Sequence, residues 1–402
     1  MTGPIRFRRW LAPVALGVLL LAGLAVRLAA LDLPGHPGDS IVMSRWAEHM
    51  AEFGPWRFYE HDGAVYPALL YAYWPLGVLF DGADLARAIK GLSIPFDLAL
   101  GIVVYLAARQ MVGSVRALIA PAFYLLNPAV LLAGPVWGQI DAAGTLAYLG
   151  ALLAGARGRF GLAGALTALA MLMKPQFGLV ALPIGVLAVI AWRATGRRAP
   201  LVGALVGGVL MYLVVAVPLR LDPISFVGRA LSIVSDKPWT SANAPNLWGV
   251  LVGYQISDAP YVLIGGALLL FGLLAALLPL RRRHDLPIVL ASGLFVVFAF
   301  YFLPTRVHER YLFPAMALLA ALAATNWRAL VVSLFTTAAF ALALLYGLVS
   351  TAPFRLPTPQ MEELLLSRTA VIWIGLTLMA SAATVVVLLI RPLRGADGAR
   401  ET

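Results

Sequence analysis

Residues 6–31 read RFRRWLAPVALGVLLLAGLAVRLAAL, an arginine-rich start followed by an apolar stretch in which Arg27 is the single charged residue. About 20 apolar residues let a helix cross a hydrocarbon core of roughly 30 Å. A cleaved signal peptide is the alternative, but Arg27 interrupts its apolar part and the residues that follow make a poor small-residue cleavage site. We therefore interpret the stretch as the first transmembrane helix, with the N-terminus inside.

The composition of the whole chain supports a membrane protein. Of its 402 residues, 61% are hydrophobic and 12% are charged, and the mean hydropathy is +0.88. A soluble domain of this composition would expose very large apolar patches. The net charge of +11 would suggest nucleic acid in a soluble chain, but basic cytoplasmic loops of a membrane protein explain it as well. We expect no nucleic-acid partner.

Further apolar stretches predict an all-α, polytopic membrane fold. We expect about twelve transmembrane helices in one domain, residues 1–402. The short run 66–80 contains Pro67 and Pro75, so we interpret it as an interfacial or re-entrant helix on the outer side. The spans after the first are predicted near 91–108, 117–134, 139–155, 160–173, 176–192, 201–219, 259–280, 286–303, 311–325, 329–350 and 370–390.

Arginine content alternates along this set of spans. Short segments such as 109–116, 193–198 and 281–283 are rich in arginine, whereas the longer loops carry mixed charge. Lys and Arg accumulate in short cytoplasmic loops. Both termini are therefore predicted to be cytoplasmic, and loops 32–90 and 220–258 to lie on the extracytoplasmic face of a bacterial-type plasma membrane.

Most of the unusual polar clusters fall on this outer side, which predicts that the working surface lies there. Asp39 is the first of them. It sits in a Gly/Pro-punctuated turn before the helix-like run 41–53, IVMSRWAEHMAEF. Its carboxylate could serve as a helix N-cap or as a catalytic base, and the two roles are compatible. The other ionisable residues nearby are expected to form a solvated face; they are His36, Glu48, His49, Glu60, His61 and Asp62.

A second cluster is PTRVHERYLFP, residues 304–314. It places Arg306, His308, Glu309 and Arg310 between two apolar spans, where ionisable side chains are costly unless they are paired or functional. An interfacial charge cluster is one explanation. A clamp for a phosphate or a pyranose is the other, because His and Arg can hydrogen-bond a phosphodiester and neutralise its charge. Two cations flanking a histidine favour the clamp.

Three further segments have plain structural alternatives. Gln139 and Asp141 of GPVWGQID could cap the helix that follows. Lys174 of KPQ could extend to the interface from a helix end. In NAPNLWG, residues 243–249, Asn246 could form a turn and Trp248 could lie in an interfacial aromatic belt.

The residue types available limit the chemistry. The chain has no cysteine, and its five histidines are scattered without an H-x-x-x-H pair, which argues against zinc. No D-x-D triplet is present. We therefore expect no cofactor and no metal, and carboxylates, His and Arg as the reactive groups.

The order of these motifs resembles the GT-C superfamily, polytopic glycosyltransferases that use lipid-phosphate sugars. Similar strings in similar order occur in dolichyl-phosphate-glucose glucosyltransferases and in bacterial mannosyltransferase relatives. Two motifs depart from the usual pattern, since Tyr-Pro-Pro reads Tyr66-Pro67-Ala68 and His-Glu-Lys reads His308-Glu309-Arg310. The motifs in order are GDSIVMSRW (38–46), VYPALLYAY (65–73), WGQID (137–141), KPQ (174–176), NAPNLWG (243–249) and VHERYLFPA (307–315).

The resemblance implies an inverting transfer of a hexose, mannose or glucose, from a polyprenyl-phosphate donor to a lipid or glycan acceptor, within membrane lipids. Asp39 would be the catalytic base, and His308, with Arg306 or Arg310, would hold the donor phosphate. The other substrate-binding candidates are Tyr66, Gln139, Asp141, Lys174, Asn246, Trp248 and Glu309.

A multi-pass transporter or lipid flippase is the competing class, because it also needs about twelve spans and a few intramembrane charges. Transporters place polar sites near the midplane, in broken helices related by repeats. No repeat is visible here, and Arg27 and Asp97 are the only charges predicted inside spans. The one-sided distribution of polar clusters therefore favours an enzyme.

Overall fold

The computed structural model describes residues 3–351 and 353–395. Residues 1–2, 352 and 396–402, and with them the chain ends predicted to be cytoplasmic, lie outside the described residues. The first half of the chain forms α1 (Gly3–Ala30), α2 (Pro37–His61), α3 (Pro67–Leu79), α4 (Gly82–Gly91), α5 (Ser93–Val112), α6 (Ile119–Leu125), α7 (Pro128–Leu131), α8 (Asp141–Ala156), α9 (Phe160–Met173), α10 (Ala181–Thr195) and α11 (Ala199–Ala216). The second half forms α12 (Pro223–Asp236), α13 (Leu247–Leu251), α14 (Val262–Leu277), α15 (Leu286–Phe302), α16 (Phe313–Ala323), α17 (Trp327–Thr351), α18 (Pro359–Leu366) and α19 (Arg368–Gly395).

Eight helical stretches of the described residues are long and apolar enough to cross a membrane. The chain is an integral membrane protein, and the predicted all-α, polytopic fold is confirmed. The remaining predicted spans coincide with the shorter helices α8, α9, α15 and α16. The longest of these four has 17 residues and extends about 25 Å, which is less than the thickness of a typical hydrocarbon core. The eight stretches are Trp10–Ala30, Gly82–Val112, Arg116–Val136, Pro175–Thr195, Ala199–Ala216, Val262–Arg281, Trp327–Thr351 and Arg368–Leu389.

Three of the shorter helices, α8, α15 and α16, lie inside the bundle. Every residue of α16 is buried, as are most residues of α8 and α15. In contrast, α1, α11 and α14 expose apolar side chains, among them Val18, Leu205 and Leu263. An exposed apolar surface of this extent is expected where helices face lipid. Long helices at the periphery therefore surround an interior that is built from shorter helices.

Small residues bring α9 and α11 together. A Cβ atom on Gly164 would overlap the backbone of Ala204, and one on Gly207 would overlap the carbonyl oxygen of Gly161. Such glycines let helix backbones approach closely in membranes, where packing takes over from the hydrophobic effect. The close approach fixes α9, whose C-terminal end leads into Lys174.

The two charges predicted inside spans form one buried ion pair. Arg27 Nε donates to Asp97 Oδ2 over 2.9 Å, and Tyr124 Oη donates to Asp97 Oδ1 over 2.8 Å. Arg27 Nη1 also donates to the carbonyl oxygen of Leu125. Pairing of this kind makes intramembrane charge tolerable. The pair connects α1 to α5 and α6, which is a structural role.

The first predicted outer loop, 32–90, folds into α2, α3 and α4. The helix α2 bends at Gly54, whose φ of 65° is left-handed, directly before Pro55. The helix α3 packs tightly on α2, since a Cβ atom on Gly77 would overlap the carbonyl group of Ala47. With 13 residues, α3 extends about 20 Å, too short to cross a bilayer, as predicted for 66–80.

Candidate active site

Asp39 lies in the first turn of α2, but it does not cap the helix. His36 is the N-cap, and its Nδ1 accepts a hydrogen bond from the backbone N–H of Asp39 over 3.2 Å. Pro37 occupies the first helical position, where its missing N–H costs nothing. The capping role considered for Asp39 is therefore wrong, and its carboxylate is available for contacts with other parts of the chain.

Three side chains from two distant segments converge on Asp39 Oδ2. The Trp137 Nε1–H donates to it over 2.7 Å, and the Gln139 amide Nε2–H donates over 2.6 Å. Arg310 Nη1 lies 3.6 Å from the same oxygen. Hydrogen bonds to an ionised acceptor are among the strongest that side chains make. Asp39 is thus held as a carboxylate by two neutral donors and one cation, while its side chain stays 24% exposed.

The backbone of residues 132–141 explains how Trp137 and Gln139 reach Asp39. A π-helical turn, Leu132–Val136, precedes Trp137, and single π turns are frequent at functional sites. Gly138 follows with a φ of 97°, a conformation that favours glycine. The indole of Trp137 stacks on the His36 ring, with centroids 5.1 Å apart. Trp137, which was not among the predicted site residues, therefore donates directly to Asp39.

Lys174 is buried rather than extended to an interface. Its side chain is 3% exposed, and its Nζ is ion-paired to Asp141 Oδ1. The same Nζ donates to Gln139 Oε1 over 2.7 Å. The interfacial alternative for Lys174 is therefore wrong. Asp141 begins α8 without capping it, because its carboxylate faces Lys174.

Arg310 is the cation of the cluster. Its Nη1 donates to Glu309 Oε1 over 3.2 Å as well as lying beside Asp39. Its guanidinium sits 5.7 Å from the centre of the Trp137 ring system. Arg310 Nε is buried, and within the described residues it has no hydrogen-bond partner. A buried donor without a hydrogen-bond partner costs free energy. The Arg310 Nε–H is therefore suited to donate to an anionic group that enters the site.

Part of this cluster borders one cavity of about 210 Å³. Asp39, Tyr66, Gln139 and Arg310 supply its polar side. Burial raises the pKa of Tyr66 to about 12, so the phenol stays neutral and can donate or accept a hydrogen bond. The remaining lining is mostly apolar; it consists of Val42, Met43, Trp46, Gly63 and Val65.

Charge in the cluster is set by burial and by Arg310. Burial acts to raise the pKa of Asp39, but the charges of Arg310 and His36 and the Trp137 hydrogen bond outweigh it, so the pKa falls well below its usual range. Burial, aided by the Arg310 charge, lowers the pKa of His308 well below its ordinary value. At neutral pH His308 is therefore uncharged and can hydrogen-bond a phosphate without neutralising it.

Other predicted residues are engaged elsewhere. Arg306 pairs with Asp258, its Nε donating to Oδ2 over 2.6 Å, and its φ of 65° is left-handed. His308 lies against the 242–243 backbone and its ring packs on Tyr311, with centroids 5.2 Å apart. Among the described residues that line the cavity with Asp39, His308 is absent and Arg310 is present.

Asn246 and Trp248 hold α13 in place. Asn246 Oδ1 accepts from the Gly249 N–H and its Nδ2 donates to the Pro304 carbonyl. Trp248 Nε1 donates to the Leu303 carbonyl over 2.7 Å, and the side chain is buried rather than interfacial. Both side chains therefore tie α13 to the end of α15.

The expected solvated face is also corrected in part. Asp62 has a side chain only 4% exposed and accepts from Arg45 Nε and Trp46 Nε1 at 2.9 and 3.0 Å. His36 caps α2 and stacks on Trp137. Within the described ranges, no group of three or more His, Asp or Glu residues is arranged to hold a metal ion.

No family model and no curated protein matches the sequence. Among solved structures, ArnT from Cupriavidus metallidurans in the apo state matches with a TM-score of 0.50 and 17% identity, covering 94% of this chain and 78% of that chain. ArnT from the same organism bound to undecaprenyl phosphate gives 0.49 and 19%, with the same coverage. The archaeal oligosaccharyltransferase AglB from Archaeoglobus fulgidus, in complex with an inhibitory peptide and a dolichol-phosphate, gives 0.49 and 14%, covering 94% and 56%. The chain therefore shares the fold of ArnT in the apo state.

Proposed function

We propose that the protein is a glycosyltransferase that moves a sugar from a polyprenyl-phosphate donor to a hydroxyl of a lipid or glycan acceptor. One observation carries the proposal. The hydrogen-bonded carboxylate of Asp39 and the guanidinium of Arg310 lie side by side on the wall of one small cavity. A base and an anion-binding group side by side are what attack on a phosphate-activated sugar requires. The motif order and the fold support the same class.

In the proposed reaction, Arg310 binds the donor phosphodiester through its guanidinium. His308 lies outside the cavity lining and is proposed to add a neutral hydrogen bond where the phosphate extends beyond it. Asp39 accepts the proton of the acceptor hydroxyl. The acceptor oxygen forms a bond to the anomeric carbon while the bond from that carbon to the phosphate oxygen breaks. Polyprenyl phosphate leaves with the electron pair, so the configuration inverts without a covalent enzyme intermediate.

The low pKa of Asp39 fits a base that becomes competent only in the loaded site. In the free protein, Arg310 and the neighbouring donors stabilise the carboxylate, which makes it a weak base. A phosphodiester bound to Arg310 would compensate part of that positive charge and add a nearby negative one. Both effects raise the pKa of Asp39, so donor binding would prepare the base for the acceptor.

The proposal extends to the substrate and the location. The cavity of about 210 Å³ suits one sugar ring, and the motifs that resemble glucosyl- and mannosyltransferases favour a hexose, glucose or mannose. The arginine distribution favours an active site on the extracytoplasmic face, with donor entering from the outer leaflet. The one-charge diester is balanced by protein cations, so we propose a transfer that needs no metal.

The transporter class is less well supported. The intramembrane charges Arg27 and Asp97 neutralise each other, whereas the charges around Asp39 lie in segments between the long apolar helices. A transport site would instead need its unpaired polar groups near the middle of the membrane-spanning helices.

The experiment compares Asp39→Asn with the wild type in detergent, using a panel of polyprenyl-phosphate hexoses and mass spectrometry of the products. Asn keeps the shape but cannot take a proton, so turnover should fall by about 10²- to 10⁴-fold while donor binding persists. Asp32→Asn is the matched control, because Asp32 is an exposed carboxylate of the same loop that pairs with Arg87. Transfer by Asp39→Asn at the wild-type rate would show the assignment to be wrong.

A further inference from the structure

A buried chain of polar side chains runs from Lys174 to Asp39. Lys174 Nζ donates to Gln139 Oε1 over 2.7 Å, and Gln139 Nε2 donates to Asp39 Oδ2 over 2.6 Å. Gln139 and Lys174 are each 2% exposed. Lys174 is also absent from the described residues that line the Asp39 cavity, whereas Gln139 is present. Lys174 therefore lies behind the cavity wall, where it donates to the lining residue Gln139 and its Nζ lies 5.6 Å from the centre of the Tyr66 ring.

The chemistry of the two ends dictates how the Gln139 amide is oriented. An ammonium group has only donors, and an ionised carboxylate has only acceptors. The amide must turn its oxygen to Lys174 and its NH₂ to Asp39. The opposite orientation would place a donor against the ammonium group and an acceptor against the carboxylate. The usual ambiguity between amide oxygen and nitrogen does not arise here.

The position of Lys174 is itself fixed from two sides. Asp141 balances its charge, so the buried ammonium is not left unpaired. Close packing then holds the two backbone segments together, because a Cβ atom on Gly144 would overlap the ring of Phe177. Gly144 lies one turn after Asp141, and Phe177 lies three residues after Lys174. Only glycine at 144 allows this approach.

We infer that Lys174 is a positioning residue that acts on the reaction through the Gln139 amide rather than by touching substrate. By holding the amide NH₂ on Oδ2 of Asp39, it leaves Oδ1 as the oxygen that takes the acceptor proton. This role presupposes the proposed function of Asp39. Asp141 supports the role by keeping Lys174 charged and in place.

The loss of Lys174 has a predictable signature. Without it, the Gln139 amide is free to rotate, and its oxygen can face Asp39. The ionised carboxylate of Asp39 then loses a hydrogen bond that stabilises it, and the pKa of Asp39 rises. The acid limb of the rate profile should therefore move to higher pH, which loss of packing alone would not cause.

The first variant is Lys174→Met, which keeps the length of the side chain without its donors. We expect kcat to fall roughly 10- to 100-fold, the range for one hydrogen bond to a charged group, with KM for donor and acceptor unchanged. A rise in KM at constant kcat would overturn the inference, because it would mean that Lys174 binds substrate.

The second variant is Gln139→Met, which removes the amide, and the third combines both changes. If Lys174 acts through Gln139, the double variant should have the kcat and acid limb of Gln139→Met alone. Multiplying effects in the double variant would overturn the inference. A wild-type rate in Gln139→Met would do the same.

Lys174→Met leaves Asp141 buried without its cation, which threatens folding. Lys174→Met/Asp141→Asn removes both charges and serves as the variant for measurement if the single change does not fold. The same acid-limb shift is expected in it, and its absence would count against the inference. If Asp39→Asn is inactive while Lys174→Met has the wild-type rate, this inference fails alone. If Asp39→Asn is fully active, the proposed function fails.

Discussion

Replacing Arg310 by glutamine would remove the cation that contacts both Asp39 and Glu309. The Nη1–Oδ2 distance of 3.6 Å corresponds to an attraction of about 4–5 kcal/mol at an effective dielectric constant near 20. Sharing of the charge with Glu309 and exposure of a quarter of the Asp39 side chain reduce this figure. An effect of about 2 kcal/mol would still move the pKa of Asp39 by more than one unit.

The expected result has two parts. The donor phosphate loses a charge-assisted hydrogen bond, so kcat/KM for the donor should fall roughly 10- to 100-fold or more. The pKa of Asp39, whose buried carboxylate then lacks this counter-charge, should rise by more than one unit. The ionised carboxylate of Asp39 is the active form. As the pH is lowered, Arg310→Gln should therefore lose activity at a higher pH than the wild type does.

The assay is a donor titration at each pH from 4 to 9 with a fixed acceptor. Arg310→Lys keeps the positive charge but loses the bidentate hydrogen-bonding geometry of the guanidinium. Its acid limb should therefore be close to that of the wild type, whereas its KM for the donor should stay raised. Arg45→Gln is a suitable control, since Arg45 belongs to the same helix as Asp39 and pairs with Asp62 at the surface. Unchanged donor KM and an unchanged acid limb in Arg310→Gln would refute the role of this residue.

Three other outcomes follow from the same physical picture. Transfer should persist in EDTA, measured as product formation; a loss that Mg²⁺ or Mn²⁺ reverses would indicate a metal-dependent mechanism instead. Asp97→Asn should lower stability by about 3–5 kcal/mol, seen as a lower melting temperature in detergent, because it leaves Arg27 buried without a counter-ion. Arg27→Met/Asp97→Asn should recover much of the loss, and a wild-type melting temperature for Asp97→Asn would contradict a structural pair. Arg306→Gln should lower the melting temperature, because it unpairs Asp258, and should leave donor KM unchanged; a raised donor KM would restore Arg306 to the phosphate site.

Sequence reasoning performed well where the physical rule is local. Long apolar runs predict helices that can cross a bilayer, because backbone groups in lipid must be paired within the helix. The all-α, polytopic fold and the location of its helices followed from that rule. It was less accurate for α8 and α16, because a buried helix and a lipid-facing helix have similar composition. Burial, which only packing decides, separates them.

The candidate site divides in the same way. The sequence alone determined the membrane class and the short motifs from which the site is built, with Asp39 as the central carboxylate, because apolar length and residue type are properties of short segments. Only the tertiary structure decided which partner each charged group has. Arg310 reaches Asp39, Arg306 turns to Asp258, and Lys174 is held behind Gln139. These partners come from different segments, 35 residues apart for Lys174 and Gln139 and 48 apart for Arg306 and Asp258, so their contacts depend on how the helices pack.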